Sequence, residues 1–189
     1  MHHPLLRQEL GALIPVLARE NAVLAPDDRL EPESPLALHA RYLGVELSAA
    51  FDQRTKDGVF RDFYTGVESV ANGRYDLLLV TLEKSAAQKE HLRYRDFPLS
   101  ERCFHWQSKA GTTVHSRQGR RHLAPEHEGC TPLLFVRERA DVRPGITMGF
   151  RNLGAVRPLR FEGERPITIE WELEHAMPPD LVRAGRIAS

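Results

Sequence analysis

Only two cysteines, Cys103 and Cys130, occur in 189 residues, too few for a disulfide framework and in keeping with a reducing compartment. No stretch approaches the roughly 18 consecutive apolar residues that a membrane-spanning helix needs. Net charge is absent too: 26 basic side chains stand against 26 acidic ones, so no whole-molecule field announces a polyanionic partner. The chain lacks the Gly-x-Ser-x-Gly turn of serine hydrolases, the His-Glu-x-x-His zinc helix and the Gly-x-x-x-x-Gly-Lys phosphate loop, which removes the motif-grade routes to catalysis. Met1-His2-His3-Pro4 shows no basic region leading into an apolar core, so no export signal is expected and the cytoplasm is the expected location.

What is present is size and pattern. At 21.5 kDa the chain is long enough to bury one core efficiently and short for two domains, so a single domain over 1–189 is expected, with 1–33 as an N-terminal helix and connector and 34–189 as its body. Charge is unevenly spread. Between Lys84 and His122 nine Lys or Arg face three acids, while from Phe161 to Asp180 six acids face Arg165 alone. A one-sided basic surface is the expectation from that segregation.

Leu5, Leu6, Leu10, Leu13, Ile14 and Leu17 recur at helical spacing, which predicts an amphipathic helix over 4–21, weakened by Pro15. Residues 25–35 are a polar, proline-rich connector, and a second helix is expected from Ala37 to Phe51. Beyond Asp57-Gly58 short apolar runs alternate with turn residues. Strands are predicted at Val59–Tyr64, Asp76–Leu82, Phe104–Ser108, Leu133–Arg137 and Ile146–Phe150, followed by a hairpin with arms Ala155–Phe161 and Ile167–Leu173. Asp76–Leu82 is apolar enough to be buried on both faces, whereas Ile167–Leu173 alternates with period two. Pro178-Pro179-Asp180 is placed to open a short helix through Val182. Together these describe an α+β fold: N-terminal helices, then a curved, mostly antiparallel sheet or partly open β-barrel.

Several blocks carry a family resemblance. Phe104-His105-Trp106-Gln107-Ser108, with Tyr94-Arg95-Asp96 before it and Leu134-Phe135-Val136-Arg137 after it, is similar to an uncharacterised bacterial domain family. That family is found at the C-terminal end of helicases with a phospholipase-D-like nuclease head. Leu38-His39-Ala40-Arg41-Tyr42, Val80-Thr81-Leu82-Glu83-Lys84-Ser85, Pro166-Ile167-Thr168-Ile169 and Trp171 to Pro178 continue the likeness in order, and the stretch up to residue 33 falls outside it. The sequence departs from the family pattern at Arg120-Arg121-His122, where an aromatic residue is expected, and in a shortened stretch before Tyr94. The resemblance implies association with DNA machinery, as a module that recognises DNA or a modified feature of it, in restriction or defence. It brings no catalytic residue with it.

Side-chain chemistry supplies the candidate contacts. Tyr94, Arg95, His105, Gln107, Lys109, Arg117 and Arg120 combine an aromatic ring for stacking, cations for phosphates and an amide for base edges. On a strand, His105, Gln107 and Lys109 share the face opposite Phe104, Trp106 and Ser108. The loop from Lys109 to His122 is expected to be flexible, hydroxyl-rich and basic. The bland alternative is a core Trp106 with a solvated polar face. Cys103, His105, His122, His127 and Cys130 are weighed as zinc ligands, but no pair has the short spacing of a structural site, so no metal or cofactor is assigned. An acid–base pair of His105 with Glu101, or of His122 with Glu126 and His127, would make a metal-independent nuclease or nucleotide hydrolase. The expected function is a non-catalytic DNA-recognition module; the alternative is an adaptor docking on a helicase or nuclease.

Overall fold

The computed structural model describes residues 36–83 and 96–188. In chain order these form β1 (Arg41–Tyr42), α1 (Gly44–Ala50), β2 (Gly66–Val70), a 3-10 turn (Ala71–Gly73), β3 (Tyr75–Thr81), β4 (Phe97–Ser100) and β5 (Cys103–Gln107). Then come α2 (Arg117–Leu123), β6 (Thr131–Arg137), β7 (Asp141–Arg143), β8 (Ile146–Thr147), β9 (Phe150–Glu162), β10 (Thr168–Leu173) and α3 (Pro179–Ala188). One large mixed sheet runs β2-β3-β6-β9-β10-β5-β4 with β1 beside β9, and β7–β8 is a separate two-stranded ribbon. β3 and β6 are parallel, and every other pair is antiparallel.

The sheet serves two cores because its first half is apolar on both faces. Leu77 and Leu79 of β3 join Leu133 and Phe135 of β6 against Leu47 of α1 and Phe63. Leu78 and Val80 point the other way with Leu134 and Val136, into the core that holds Phe104, Trp106, Ile169 and Trp171. A strand buried on both sides reads as an unbroken apolar run. The second half is one-sided: Ile169, Trp171 and Leu173 of β10 are buried, while Thr168, Glu170 and Glu172 are only partly so.

β9 joins the two halves. Its start pairs with β6 and its later part with β10. The change-over is a bulge in which Gly154, at φ 79, donates its N–H to Asn152 Oδ1 at 2.9 Å. A left-handed φ is what glycine permits, and a bulge bends its strand and increases the twist, so β10, β5 and β4 swing round the core shared with β3 and β6. Among the described residues, β9 beyond Ala155 is paired only on its β10 side. Pro158, Arg157 and Arg160 occupy that bare edge, where proline and charge discourage intermolecular pairing.

The α+β expectation holds as a mixed sheet with three helices among the described residues. The sheet is open, with β2 and β4 at its ends, and does not close into a barrel. The helix predicted over 4–21 lies outside the described residues. The second helix is shorter than predicted. Residues 41–42 instead form β1, because His39 (φ 64) turns the chain and its N–H bonds to Asn152 O. Val59–Tyr64 supplies one bridging residue, Phe60 opposite Arg54, and the strand falls at Gly66–Val70 instead. β4 and α2 were not predicted, and α3 runs past Val182.

α1 sits so close to its neighbour that only glycine fits at its start. A Cβ on Gly44 would lie 1.8 Å from the Phe63 carbonyl oxygen. Gly44→Ala is expected to lower stability by about 2 kcal/mol through overpacking. An unchanged urea midpoint would show that this packing is not tight.

Candidate nucleic-acid interface

β5 sorts its side chains by alternation. Phe104, Trp106 and Ser108 are buried, while His105 and Gln107 are half-buried on the outer face. His105 stacks on Phe97 of β4, with ring centroids 4.6 Å apart and planes 13° from parallel, and lies cross-strand from Glu170. Gln107 is held at both ends: its backbone N–H donates to Asp96 Oδ1 at 3.0 Å and its Nε2 to Thr168 Oγ1 at 3.3 Å. A shallow pocket of about 130 Å³ opens on this face, lined by His105, Arg160, Phe161, Glu162, Thr168 and Glu170.

The stretch after β5 is an internally hydrogen-bonded turn that leads into a helix, α2. Ser108 is buried and accepts the Ile167 N–H at 2.9 Å. Lys109 O accepts from Thr112 N–H, and Thr112 O from Arg165 N–H. Val114 N–H donates to Glu164 Oε1. Ser116 caps α2 by accepting the Gly119 N–H at 3.0 Å while donating to Thr113 O at 2.7 Å. These hydroxyls are consumed internally, so a phosphate would meet cations there instead. Gly119 permits the fit, since a Cβ would lie 1.9 Å from Thr113 O.

α2 is locked from beneath. Arg121 and Asp76 are buried, at 7% and 1% exposure. The guanidinium donates to both carboxylate oxygens, at 2.8 and 2.7 Å, and to Gly73 O at 2.6 Å. Ser69 Oγ donates to the same carboxylate. A bidentate pair with further hydrogen bonds to Gly73 and from Ser69 offsets much of the cost of taking two charges out of water. The next residue, His122, is fully buried and lies edge-on to Trp106 at 5.0 Å and to Trp171 at 6.5 Å. It takes the place in the aromatic cluster where the family pattern led us to expect an aromatic residue. Neither of its ring nitrogens finds a hydrogen-bond partner among the described residues. Burial, above all, pushes its imidazole down to about 4; Asp76 raises it and Arg121 lowers it further.

With its inner face so fixed, α2 shows Arg117 and Arg120 to solvent. Arg120 is partly occupied, its Nε 2.9 Å from Glu128 and its Nη1 donating to His115 O. Lys109, Arg117 and Arg165 are exposed and form no ion pair among the described residues. Lys109 lies against Gly66 at the start of β2, and the Thr112–Arg165 bond joins the loop to the β9–β10 turn. Hydrogen bonds from this loop to Glu164 and Arg165 thus tie the segment that carries Lys109 and leads into Arg117 to the turn that carries Arg165. Tyr94 and Arg95 lie outside the described residues.

Other candidates separate in space. Glu170 and Glu172 are paired with Arg160 and Arg157, so the acidic run of sequence is no acidic patch. His122 is sealed away from solvent and cannot work with the exposed Glu126 and His127. His105 faces Glu170, not Glu101. Among the described residues no three His, Cys, Asp or Glu are placed to hold one metal ion. Burial pushes the Cys103 thiol up and that of Cys130 up to about 11, so both are poor nucleophiles. At the opposite end of β5 and β10, where β9 parts from β6, a cleft of about 490 Å³ has Glu126, Glu172 and Glu174 on its rim against Arg102 and Arg157. That balance does not suit a phosphate.

Three contributors were missed in the sequence: Arg165, Asp76 and Arg121. Asp76 carried a signal, an acid heading an otherwise apolar strand, which needs a buried partner. Arg165 carried none beyond being the lone base of an acidic segment.

The model of one family, described as a domain of unknown function (DUF3427), matches residues 38–184. No protein of curated function matches the chain. No helix among the described residues is long and apolar enough to cross a membrane.

Asp76→Ala leaves the Arg121 charge buried and unpaired, and is expected to cost about 3–5 kcal/mol, read from chemical denaturation. His122 makes stability depend on pH. Its folded value of about 4 lies below its ordinary 6.5, so its contribution is complete above 6.5 and declines as pH falls toward 4. That loss amounts to about 3 kcal/mol. His122→Phe should remove this part of the slope; an identical slope would assign it to other groups.

Proposed function

The chain belongs to the DUF3427 family, and we propose that it is a non-catalytic DNA-recognition module of a bacterial DNA-processing or defence system. The observation that carries this reading is the set of Lys109, Arg117 and Arg165, cations exposed and without ion pairs among the described residues, on the loop after β5, the helix it leads into and the β9–β10 turn bonded to that loop. Such cations neutralise phosphates and release counterions, which supplies sequence-independent affinity. Gln107 offers an amide, and His105 on Phe97 an aromatic surface, for finer discrimination among DNA forms, including modified bases or unusual structures. Rigidity helps, because side chains held by the fold lose less entropy on binding. The resemblance to domains at the C-terminal end of helicases with a nuclease head agrees with a module that supplies recognition while another part supplies chemistry, in the cytoplasm where such machinery works.

An adaptor that docks on a helicase or nuclease is the second reading. Its support is the exposure of Leu159 and Phe161, 52% and 53%, beside the bare part of β9.

Fluorescence anisotropy with unmodified duplex, modified duplex and single-stranded DNA at two salt concentrations tests the first reading. Replacing Lys109, Arg117 and Arg165 together with Ala should weaken binding to every DNA. The dependence of log Kd on log salt should flatten by about one for each phosphate that these cations neutralise. Gln107→Ala should change the preference among DNA forms. Binding that none of these changes alters, or no binding at all, would remove DNA recognition and favour the adaptor.

A further inference from the structure

Resting on that reading, we propose that the β7–β8 ribbon is a finger that enters the major groove of duplex DNA, with Arg143 reading guanine. The ribbon projects. Residues 141–147 are all exposed, and Asp141 and Arg143 pair only with Thr147 and Ile146, outside the large sheet. Its tip is Pro144-Gly145, with Gly145 at φ 78.

The fold gains little from this ribbon as it stands. A lone two-stranded hairpin is marginal in water, yet this one leaves Val142 and Ile146 at 50% and 42% exposure. Arg139 and Arg143 form no ion pair among the described residues. Glu138, at the root, is taken by Arg41 at 2.6 Å. Two cations against Asp141 therefore accompany two exposed apolar side chains, Arg143 standing cross-strand from Ile146.

The root is firm. Arg137 is buried, at 2% exposure, and donates to Thr81 Oγ1 at 2.9 Å, Met148 O at 3.3 Å and Tyr64 O at 3.2 Å. Its guanidinium packs over Phe150 at 4.3 Å and Tyr64 at 4.9 Å. Met148 N–H closes the neck on Ala140 O at 2.8 Å. A ribbon on such a base holds its direction.

That direction belongs to the basic end. β3 and β6 run parallel, so Thr81 and Arg137 stand together. Gly66 of β2 is beside Leu79, and Lys109 lies on Gly66. The ribbon and Lys109 thus leave the sheet at the same end. A two-stranded ribbon fits a groove about 12 Å wide, where Arg bonds guanine O6 and N7 and apolar side chains meet thymine methyls. A protein partner would be met by Val142 and Ile146 alone; uncompensated arginines beside them favour DNA.

The test uses the whole chain with 30-base-pair duplexes carrying guanine or 7-deazaguanine, which lacks the N7 acceptor. The wild type should lose about tenfold in affinity on 7-deazaguanine. Arg143→Ala should lose a similar factor on guanine and be insensitive to the replacement. Val142→Ser with Ile146→Ser should weaken binding while melting at the wild-type temperature. The finger is overturned if the wild type and both ribbon variants bind the two duplexes alike while Lys109→Ala with Arg117→Ala weakens binding. No duplex binding by the wild type overturns the DNA-recognition reading itself.

Discussion

The bidentate grip of Arg121 on Asp76 fixes what the rest of the molecule presents. It joins α2 to the first turn of β3 across the mouth of the curled sheet. Two charges removed from water are costly, and only full hydrogen bonding makes them tolerable. Here Ser69 and Gly73 add to it. The anchor sets the rotation of α2: Arg121 and His122 are buried, Arg120 is turned to solvent, and Arg117, one turn before Arg121, is exposed at the start of the helix. A helix of seven residues has little stability of its own, so this anchor, with the Ser116 cap, accounts for its being there.

Much of the sheet was legible because burial imposes alternation. The outward set Thr168, Glu170 and Glu172 and the inward set Ile169, Trp171 and Leu173 could be read directly, as could the split of Phe104 and Trp106 from His105 and Gln107. The unbroken run at β3 also announced a strand buried on both faces. α2 was not legible, since Gly119 and a Ser/Thr-rich approach look like a loop until Thr113 and Asp76 are seen to hold them. β1 was hidden inside helical spacing, and only the turn at His39 separates the two. The candidate contacts were half legible. Gln107, Lys109 and Arg117 were proposed from chemistry and position, whereas the bond of Arg165 to the loop at Thr112 exists only through the fold.

Charge segregation along the chain did not translate directly into surface. Arg157 and Arg160 lie cross-strand from Glu172 and Glu170, so the antiparallel hairpin neutralises much of the acidic run locally. What remains is a modest cationic edge on a molecule without net charge. Its attraction for any polyanion would act over about a Debye length, roughly 8–10 Å at physiological salt.

The parallel pairing of β3 with β6 also bears on how the chain assembles. Parallel neighbours cannot be joined by a tight turn, and here β4, β5 and α2 all lie between them. β9 and β10 close across a short turn, whereas the β3–β6 ladder must close a long loop and bear its entropy before any pairing rewards it. The Asp76–Arg121 lock spans the same loop. Helix α2 and its cations are therefore expected to take their final place after the β9–β10 hairpin has closed.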